Sequence, residues 1–599
     1  MKNKHLTHQG LQAFIARLEN NGELIRVKHP VSPDQDITEI ADRMMNQPGG
    51  GKALLFENTG TKFPLLINAF GSTGRMKTIL GEQHPADVFP HLFSLAEQLK
   101  QGGGLISTIR HIWPHRHYLK VFPKHSTKRG ACQQVIDTNP DLGKLPVLTS
   151  WPFDGGPFFT LPMVFTQHPE TGTRNIGMYR MQVFDKNTTG MHWHRHKGGA
   201  VHFKAWQQKG GKMPVAVALG GDPLYTYLAT APLPENVDEL LMYGLIRKQP
   251  ATLVKCITQD IEVPADADII LEGYIDTNEA FRTEGPFGDH TGFYSLEDTY
   301  PVFHLTAITH RKNAVYPATI TGIPPMEDLY FSKTTETLFK PAIKMLIAPE
   351  MEDFHLPAEG TAHNLVLMHV KNSFPGSIHK TMHALMGAGQ MMFSKILIAL
   401  PQDVELTDYP AVIDHVAAWI HPDKAIISAG PADELEHASP QPVFGGKLML
   451  DLSENSPDTA PKPQFYSDDK SIRYGNILIR YANREDELQH TPLDKGVHCI
   501  VFVDVPPSEN VSLLIWWVLA NIDPQSDILR INNALHIDAR VKPKQAGRKR
   551  RWPQPVLSSD DTIQAIDEKW EALNIGRYMP SPSKKTKNFV NSHGAAFKN

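Results

Sequence analysis

Four short islands between Asn175 and His290 hold the residues whose types and spacing could do chemistry. They are Asn175-Ile-Gly-Met-Tyr-Arg180, His192-Trp-His-Arg-His-Lys-Gly-Gly199, Pro232-Leu-Pro-Glu-Asn-Val-Asp-Glu239 and Glu284-Gly-Pro-Phe-Gly-Asp-His290. In an extended segment, His192, His194 and His196 share one face, with Trp193 and Arg195 on the other. Neutral imidazole is the commonest side-chain metal ligand. With Asn175 and Glu239 added, the donor set suits a hard or borderline divalent ion such as Mn2+ or Mg2+.

Each signal also has a plain reading. An isolated His-x-His-x-His is equally a polar strand rim, Asn175 a turn residue, and Glu239 an acid favoured by the dipole of a helix starting after Pro234. Glu284 and Asp289 sit on a Gly/Pro-stiffened loop, which could be a turn or a calcium loop. Such a loop can also bring two carboxylates together beside Arg180, leaving one as a permanent anion and the other as a proton carrier. Decarboxylation needs that set: a cation for the carboxylate, and an acid that protonates the carbon CO2 leaves.

The elements that must position these islands fall into three regions, and the fold class reads as α/β multidomain. Residues 1–125 alternate helices (9–21, 36–45) with buried strands (23–27, 53–56), an α/β N-terminal domain. Gly102-Gly-Gly104 and the basic stretch 111–128 read as the linker out of it. From 126 to 312, strand-like runs dominate (162–166, 177–184, 214–219, 252–257, 269–274, 302–308), which suggests a β-barrel. From 313 to 580 the helix–strand alternation returns. A unit at 395–428 is repeated at 499–530, each helix closing in a matching phrase, Ile420-His-Pro422 and Ile522-Asp-Pro524. The lysine-rich residues 581–599 read as a disordered tail.

Composition removes several classes of function. A net charge of -4 argues against general nucleic-acid binding. The three cysteines are far apart, so a disulfide framework and an iron–sulfur cluster are excluded. No apolar run reaches the length of a membrane span, and the N-terminus has no signal-peptide core, so a cytoplasmic protein is expected. The basic cluster Lys542–Arg551 offers peripheral contact with phosphate or anionic lipid, though a solvated surface segment explains it as well.

The islands and their flanks together resemble the UbiD family of carboxy-lyases, whose best-known members decarboxylate 3-polyprenyl-4-hydroxybenzoate with prenylated FMN. The similar blocks include Asp36-Ile-Thr-Glu-Ile-Ala-Asp42, Ala53-Leu-Leu-Phe-Glu-Asn58, Asn175–Arg180, His196-Lys-Gly-Gly199 and Val217-Ala-Leu-Gly-Gly-Asp-Pro223. Leu271-Glu-Gly-Tyr274, Glu284-Gly-Pro-Phe-Gly-Asp-His-Thr-Gly292 and Ala438-Ser-Pro440 follow in order. The resemblance covers about 8–455 and resumes near 550–573. It implies Asn175, His196 and Glu239 as ligands of Mn2+, which grips the cofactor phosphate. It implies Met178, Tyr179, Arg180, His192, Trp193, His194, Lys197 and Gly198 as prenylated-flavin contacts. Ala229, Thr230, Ala231 and Pro232 fall where the family lines the cofactor and a K+ site. Asp289 matches the proton donor, with Glu284 and Arg180 completing the network.

The resemblance further implies a split β-barrel flavin-binding middle domain and an α/β C-terminal oligomerisation domain, hence a homodimer or homohexamer. A separate flavin prenyltransferase would supply the cofactor. The expected substrate is a small aromatic or α,β-unsaturated acid, a quinone-precursor hydroxybenzoate or dihydroxynaphthoate, decarboxylated reversibly and without oxidation. An insertion at about 456–547 has no counterpart in shorter members. Two rivals stay open at this stage: a metal-only iron or zinc enzyme using the His192/His194/His196 triad, and a non-catalytic scaffold that binds a partner through the insertion.

Overall fold

The computed structural model describes residues 10–81, 121–194, 198–233, 237–454, 463–483, 495–506, 508, 510–542 and 550–597. The first sheet orders Leu24–Val27, Ala53–Phe56, Leu65–Ile67 and Tyr316–Pro317, so a strand from beyond residue 312 completes the N-terminal layer. Helix Asp36–Met45 turns Ile37, Ile40, Ala41 and Met44 into the core at helical spacing. Its other side meets the helix Asp560–Leu573 from the far end of the chain. There Arg43 donates to Asp567 at 2.7 Å and lies over Trp570.

The middle region is built on a seven-stranded, wholly antiparallel sheet among the described residues. Its main path runs Thr188–Gly190, Val302–His310, Ile269–Asp276, Lys212–Leu219, Met163–Gln167, Arg174–Met178. No pairing among the described residues joins its two ends, so the sheet does not close into a barrel. The run expected as one strand over 177–184 is divided. Arg174–Met178 pairs with Met163–Gln167, whereas Met181–Gln182 pairs with Phe158–Phe159. Tyr179 and Arg180 lie at this change of partner. The linker expected through residue 128 is corrected at its end, because Lys124–Ser126 is a strand parallel to Thr252–Lys255; residues 102–104 lie outside the described residues.

Beyond residue 328 there are two sheets of one design. The first orders Met351–His355, Leu365–Val370, Ile396–Leu400, Phe444–Asp451, Ala425–Pro431. The second adds an edge strand, Phe465–Ser467, and then orders Ser471–Tyr474, Ile477–Tyr481, Cys499–Val503, Ala534–Asp538, Ile528–Ile531. Both five-strand series pair antiparallel, parallel, parallel, antiparallel. The repeated phrases mark loops that reach across reciprocally. Asp523 of the second unit accepts from Gly446 N of the first at 2.6 Å, and Asn533 Nδ2 of the second bonds His421 of the first at 3.1 Å. Ile398 and Leu448 share one apolar core with Val501, Leu514 and Leu535.

The chain after Ser581 differs from the expected disordered tail. It forms the helix Pro582–Lys587 and buries Ser583, Thr586, Phe589 and Val590. Most of the basic cluster, 543–549, lies outside the described residues, and Lys542 is buried, donating to the Asn521 carbonyl at 3.0 Å. No helix among the described residues is long and apolar enough to cross a membrane.

Candidate active site

Asn175 lies in the edge strand Arg174–Met178, opposite Thr166. Glu239 opens the helix Glu239–Arg247, as expected, behind an Asp238 cap whose carboxylate accepts from Leu240 N at 2.9 Å. Asp238 also takes Arg174 at 2.7 Å. Glu239 in turn accepts from Ile176 N at 3.1 Å, which brings it beside Asn175. Burial, with Asp238 adding its charge, pushes the Glu239 carboxyl up to about 8. A carboxyl so placed, its nearest arginine committed elsewhere, is where a bound cation would restore the ionised form. The third expected ligand, His196, lies outside the described residues, as does Lys197. No group of three His, Cys, Asp or Glu suited to a metal is assembled among the described residues.

The expected flavin contacts converge on the same edge. Met178 N donates to the Ala229 carbonyl at 3.0 Å, which joins the strand end to the turn Ala229–Pro232, and Thr230 Oγ1 donates to Tyr227 O at 2.7 Å inside that turn. Tyr179 is buried with its ring edge-on to Trp193, and its hydroxyl accepts from Gly199 N at 3.3 Å at the start of helix Gly198–Lys209. A Cβ on Gly198 would fall 2.0 Å from Asn175 Oδ1, so only glycine lets the helix start sit against that amide. Asn175 Nδ2, Trp193 Nε1 and Glu284 Oε2 are buried without a hydrogen-bond partner among the described residues. Unpartnered buried polar atoms are uncommon, and Asn175 and Trp193 both lie against the glycines that open helix Gly198–Lys209, which fits a polar, anionic cofactor with a metal beside it.

His192 and His194 do lie on one side, their Nε2 atoms 2.8 Å apart. His192 Nδ1 donates to Glu284 Oε1 at 2.7 Å, so its Nε2 is the acceptor from His194. Both nitrogens of His192 are thereby used, which removes it from a three-histidine metal site. Burial and the nearby Arg180 charge lower the His192 pKa and keep it neutral.

Arg180, Glu284 and Asp289 form one buried constellation. Arg180 Nε donates to Glu284 at 3.1 Å, Nη1 to Asp289, and Nη2 to Ser295 Oγ at 3.0 Å, while its guanidinium lies over Phe287. Burial works to raise the Asp289 carboxyl, but Arg180 and His290 outweigh it and hold the group well below the usual carboxylate range. Burial is likewise overcome at Glu284, which His192 and Arg180 hold low. His290 donates to Asp289 through its backbone N at 2.7 Å and has its ring Nδ1 3.0 Å away. Burial would lower His290, yet Asp289, with Asp433 and Asp328 behind it, raises it to about 9.

Three family models match the chain along most of its first three quarters: the 3-octaprenyl-4-hydroxybenzoate carboxy-lyase N-terminal domain over 15–94, its Rift-related domain over 124–324, and its C-terminal domain over 329–452. This chain belongs to the UbiD family. It is therefore a carboxy-lyase. The UbiD chain is 43% identical over 453 residues to an uncharacterized protein of Archaeoglobus fulgidus, covering 75% of this chain and 92% of that one. An uncharacterized Helicobacter pylori protein is 33% identical over 611 residues, covering 94% and 97%. Among solved structures, it is similar to the UbiD-class enzyme HmfF from Pelotomaculum thermopropionicum in complex with FMN (TM-score 0.62, 24% identity, 74% of this chain and 94% of that one). It is also similar to the vanillic acid decarboxylase of Sedimentibacter hydroxybenzoicus in its closed form (TM-score 0.63, 24% identity, 77% and 95%).

Further residues, which sequence reasoning missed, contact this candidate site. Asp154 accepts from Gly288 N at 2.7 Å and from Trp151 N at 2.9 Å, tying down the acid loop. Gln182 Oε1 accepts from Gly285 N at 2.7 Å. From the C-terminal region, the His363 ring stands 5.5 Å from the His290 ring, and Glu434 faces His194 at 4.0 Å. Only Asp154, in the turn Trp151-Pro-Phe-Asp-Gly-Gly156, carries a local signal; the others are brought in by tertiary contact alone.

Proposed function

We propose that this UbiD-family protein decarboxylates an aromatic or α,β-unsaturated carboxylic acid, reversibly and non-oxidatively, with prenylated FMN. The observation that carries the reading is the buried Glu284–Arg180–Asp289 constellation, an acid pair split around one guanidinium. When bound, prenylated FMN supplies the electron sink that accepts the pair left on carbon as CO2 departs. Met178, Tyr179, Trp193, His192, His194 and Gly198 would hold it, with Lys197, alongside the turn Ala229–Pro232. Asn175 and Glu239, with His196, would hold Mn2+ at its phosphate, and the turn would take K+.

The resting constellation explains how a carboxyl held so low can donate a proton. Among the described residues three of the five Arg180 N–H donors are engaged, by Glu284, Asp289 and Ser295, so an incoming substrate carboxylate competes with the two acids for the guanidinium. Glu284 is anchored by Arg180 and a neutral His192, whereas Asp289 is anchored by Arg180 and His290, whose raised pKa keeps a proton at hand, so Asp289 is the partner we take to yield. Once its countercharge is shared with substrate, burial dominates and Asp289 takes up a proton. That proton goes to the carbon as CO2 leaves, and His290, in contact with both Asp289 and the polar C-terminal wall, is placed to reload it. The balance is one carboxylate and one proton in, one C–H and one CO2 out.

A hydroxybenzoate or dihydroxynaphthoate on a quinone route is the substrate class we favour, in keeping with the family description; the neighbour acting on vanillic acid is a related case. The split-barrel reading of the middle domain rests on the family resemblance, since its antiparallel sheet is open among the described residues. A partner flavin prenyltransferase and a homodimer or homohexamer belong to the same reading. The test is mass spectrometry of small molecules released from protein co-produced with a flavin prenyltransferase, with metal analysis and a screen of 4-hydroxybenzoate, 3,4-dihydroxybenzoate, vanillate and dihydroxynaphthoate. Prenylated FMN with manganese and CO2 release from one acid is the expected result. Stoichiometric iron or zinc without flavin would overturn it.

A further inference from the structure

The acid loop is held by a part of the chain outside the matched family models, which end at residue 452. Asp289 to Phe293 form a tight turn, with Gly292 N donating to Asp289 O at 3.0 Å and Asp289 N to Phe293 O at 3.1 Å. Trp516, in the helix Val511–Ala520 of the second sheet unit, donates its indole N–H to the Thr291 carbonyl at 2.9 Å. Its ring stacks on Phe293 at 5.1 Å. A Cβ on Gly292, whose φ is +81°, would come within 2.7 Å of the same ring, so the indole sits directly on the turn. On the other side, Val556 N donates to Gly292 O at 2.9 Å and Tyr294 N to Gln554 O at 3.0 Å. Phe293 also meets the His437 ring at 4.6 Å, next to the Asp433–Glu434 segment that faces the site.

We propose that Trp516 is a positioning residue for Asp289, and that the second sheet unit is thereby part of the decarboxylase machinery. The proposal rests on Asp289 being the proton donor. Removing the N–H leaves a buried carbonyl unpaired inside the turn that carries the acid, and displacement of an acid by fractions of an ångström is costly to its proton transfer. The neighbouring Trp517 supplies the control: it too packs on Phe293, at 6.0 Å, yet its indole nitrogen makes no hydrogen bond among the described residues.

The experiment compares Trp516→Phe, Trp517→Phe and Asp289→Asn in the full-length holo-protein, using the acid turned over in the screen above. Thermal midpoint and flavin content are measured alongside. Trp516→Phe is expected to lower kcat roughly tenfold or more with KM changed less than about twofold, while Trp517→Phe stays near wild type. A readout that needs no substrate is the pH dependence of His290 modification by diethyl pyrocarbonate, followed by peptide mass spectrometry. Its midpoint should move down toward the ordinary imidazole value in Trp516→Phe as Asp289 drifts from His290. Unchanged kcat and an unchanged His290 midpoint, or equal effects in both tryptophan variants, would overturn the positioning role. An active Asp289→Asn enzyme would overturn the acid assignment itself. If no acid in the screen reacts, the His290 midpoint alone decides the inference.

Discussion

His192 gives its Nδ1 proton to Glu284 across 2.7 Å, and the same Oε1 atom receives Arg180 Nε at 3.1 Å. Two donors on one buried oxygen fix Glu284 as an anion. On the proposed function, Asp289, the other arm of the arginine and the neighbour of His290, is the acid that changes its protonation state.

Replacing Asp289 by Asn should lower kcat by about 10²- to 10⁴-fold, the usual worth of a general acid. Flavin stoichiometry should stay at the wild-type level, because Asn can still accept from the His290 backbone N. Steady-state CO2 release and absorbance of the bound flavin check both halves.

Arg180→Lys keeps the charge but loses the fork that engages Glu284, Asp289 and Ser295 together. We expect kcat/KM to fall about 10²- to 10³-fold, the scale for losing one preorganised electrostatic contact. An activity within a few-fold of wild type would show that charge alone suffices.

Glu239→Gln should remove the divalent ion while preserving the fold, since the amide oxygen can still accept from Ile176 N. Metal analysis should drop from about one ion per chain to none. With metal stripped from both proteins, the variant should melt at the higher temperature, because it no longer buries a carboxyl that burial pushes up to about 8.

His290 carries a pH signature. Its folded pKa is raised to about 9, above the ordinary 6.5, so its pairing with Asp289 stabilises fully below about 6.5 and is lost as pH rises through about 9. The thermal midpoint of wild type should therefore exceed that of His290→Gln at pH 6, by an amount equivalent to about 1 kcal/mol. The gap should close by pH 10.

Much of this was legible because local periodicity and local chemistry agree. Ile37, Ile40, Ala41 and Met44 announce a helix face, and the matching Ile420-His-Pro422 and Ile522-Asp-Pro524 announce two copies of one unit. Local chemistry picks out Arg180, but the pattern predicts too long a strand around it, because apolar alternation continues through a point where the chain changes sheets. The tail departs from its expected disorder for a related reason. Lys584 and Lys587 face outward to Asp567 and Asp560, while Ser583, Thr586, Phe589 and Val590 face in, and composition averages the two sides together. Gln182 and Trp516 reach the acid loop from far along the chain, and no spacing encodes such a contact.

The two sheet units meet through reciprocal loops, Asp523 on Gly446 and Asn533 on His421. Were these units on separate molecules, their union would obey mass action and come apart on dilution. Here the chain itself is the tether, so each unit meets the other at a fixed effective concentration. The aromatic contact on the acid loop is thus as complete in a single isolated molecule as in a crowded solution.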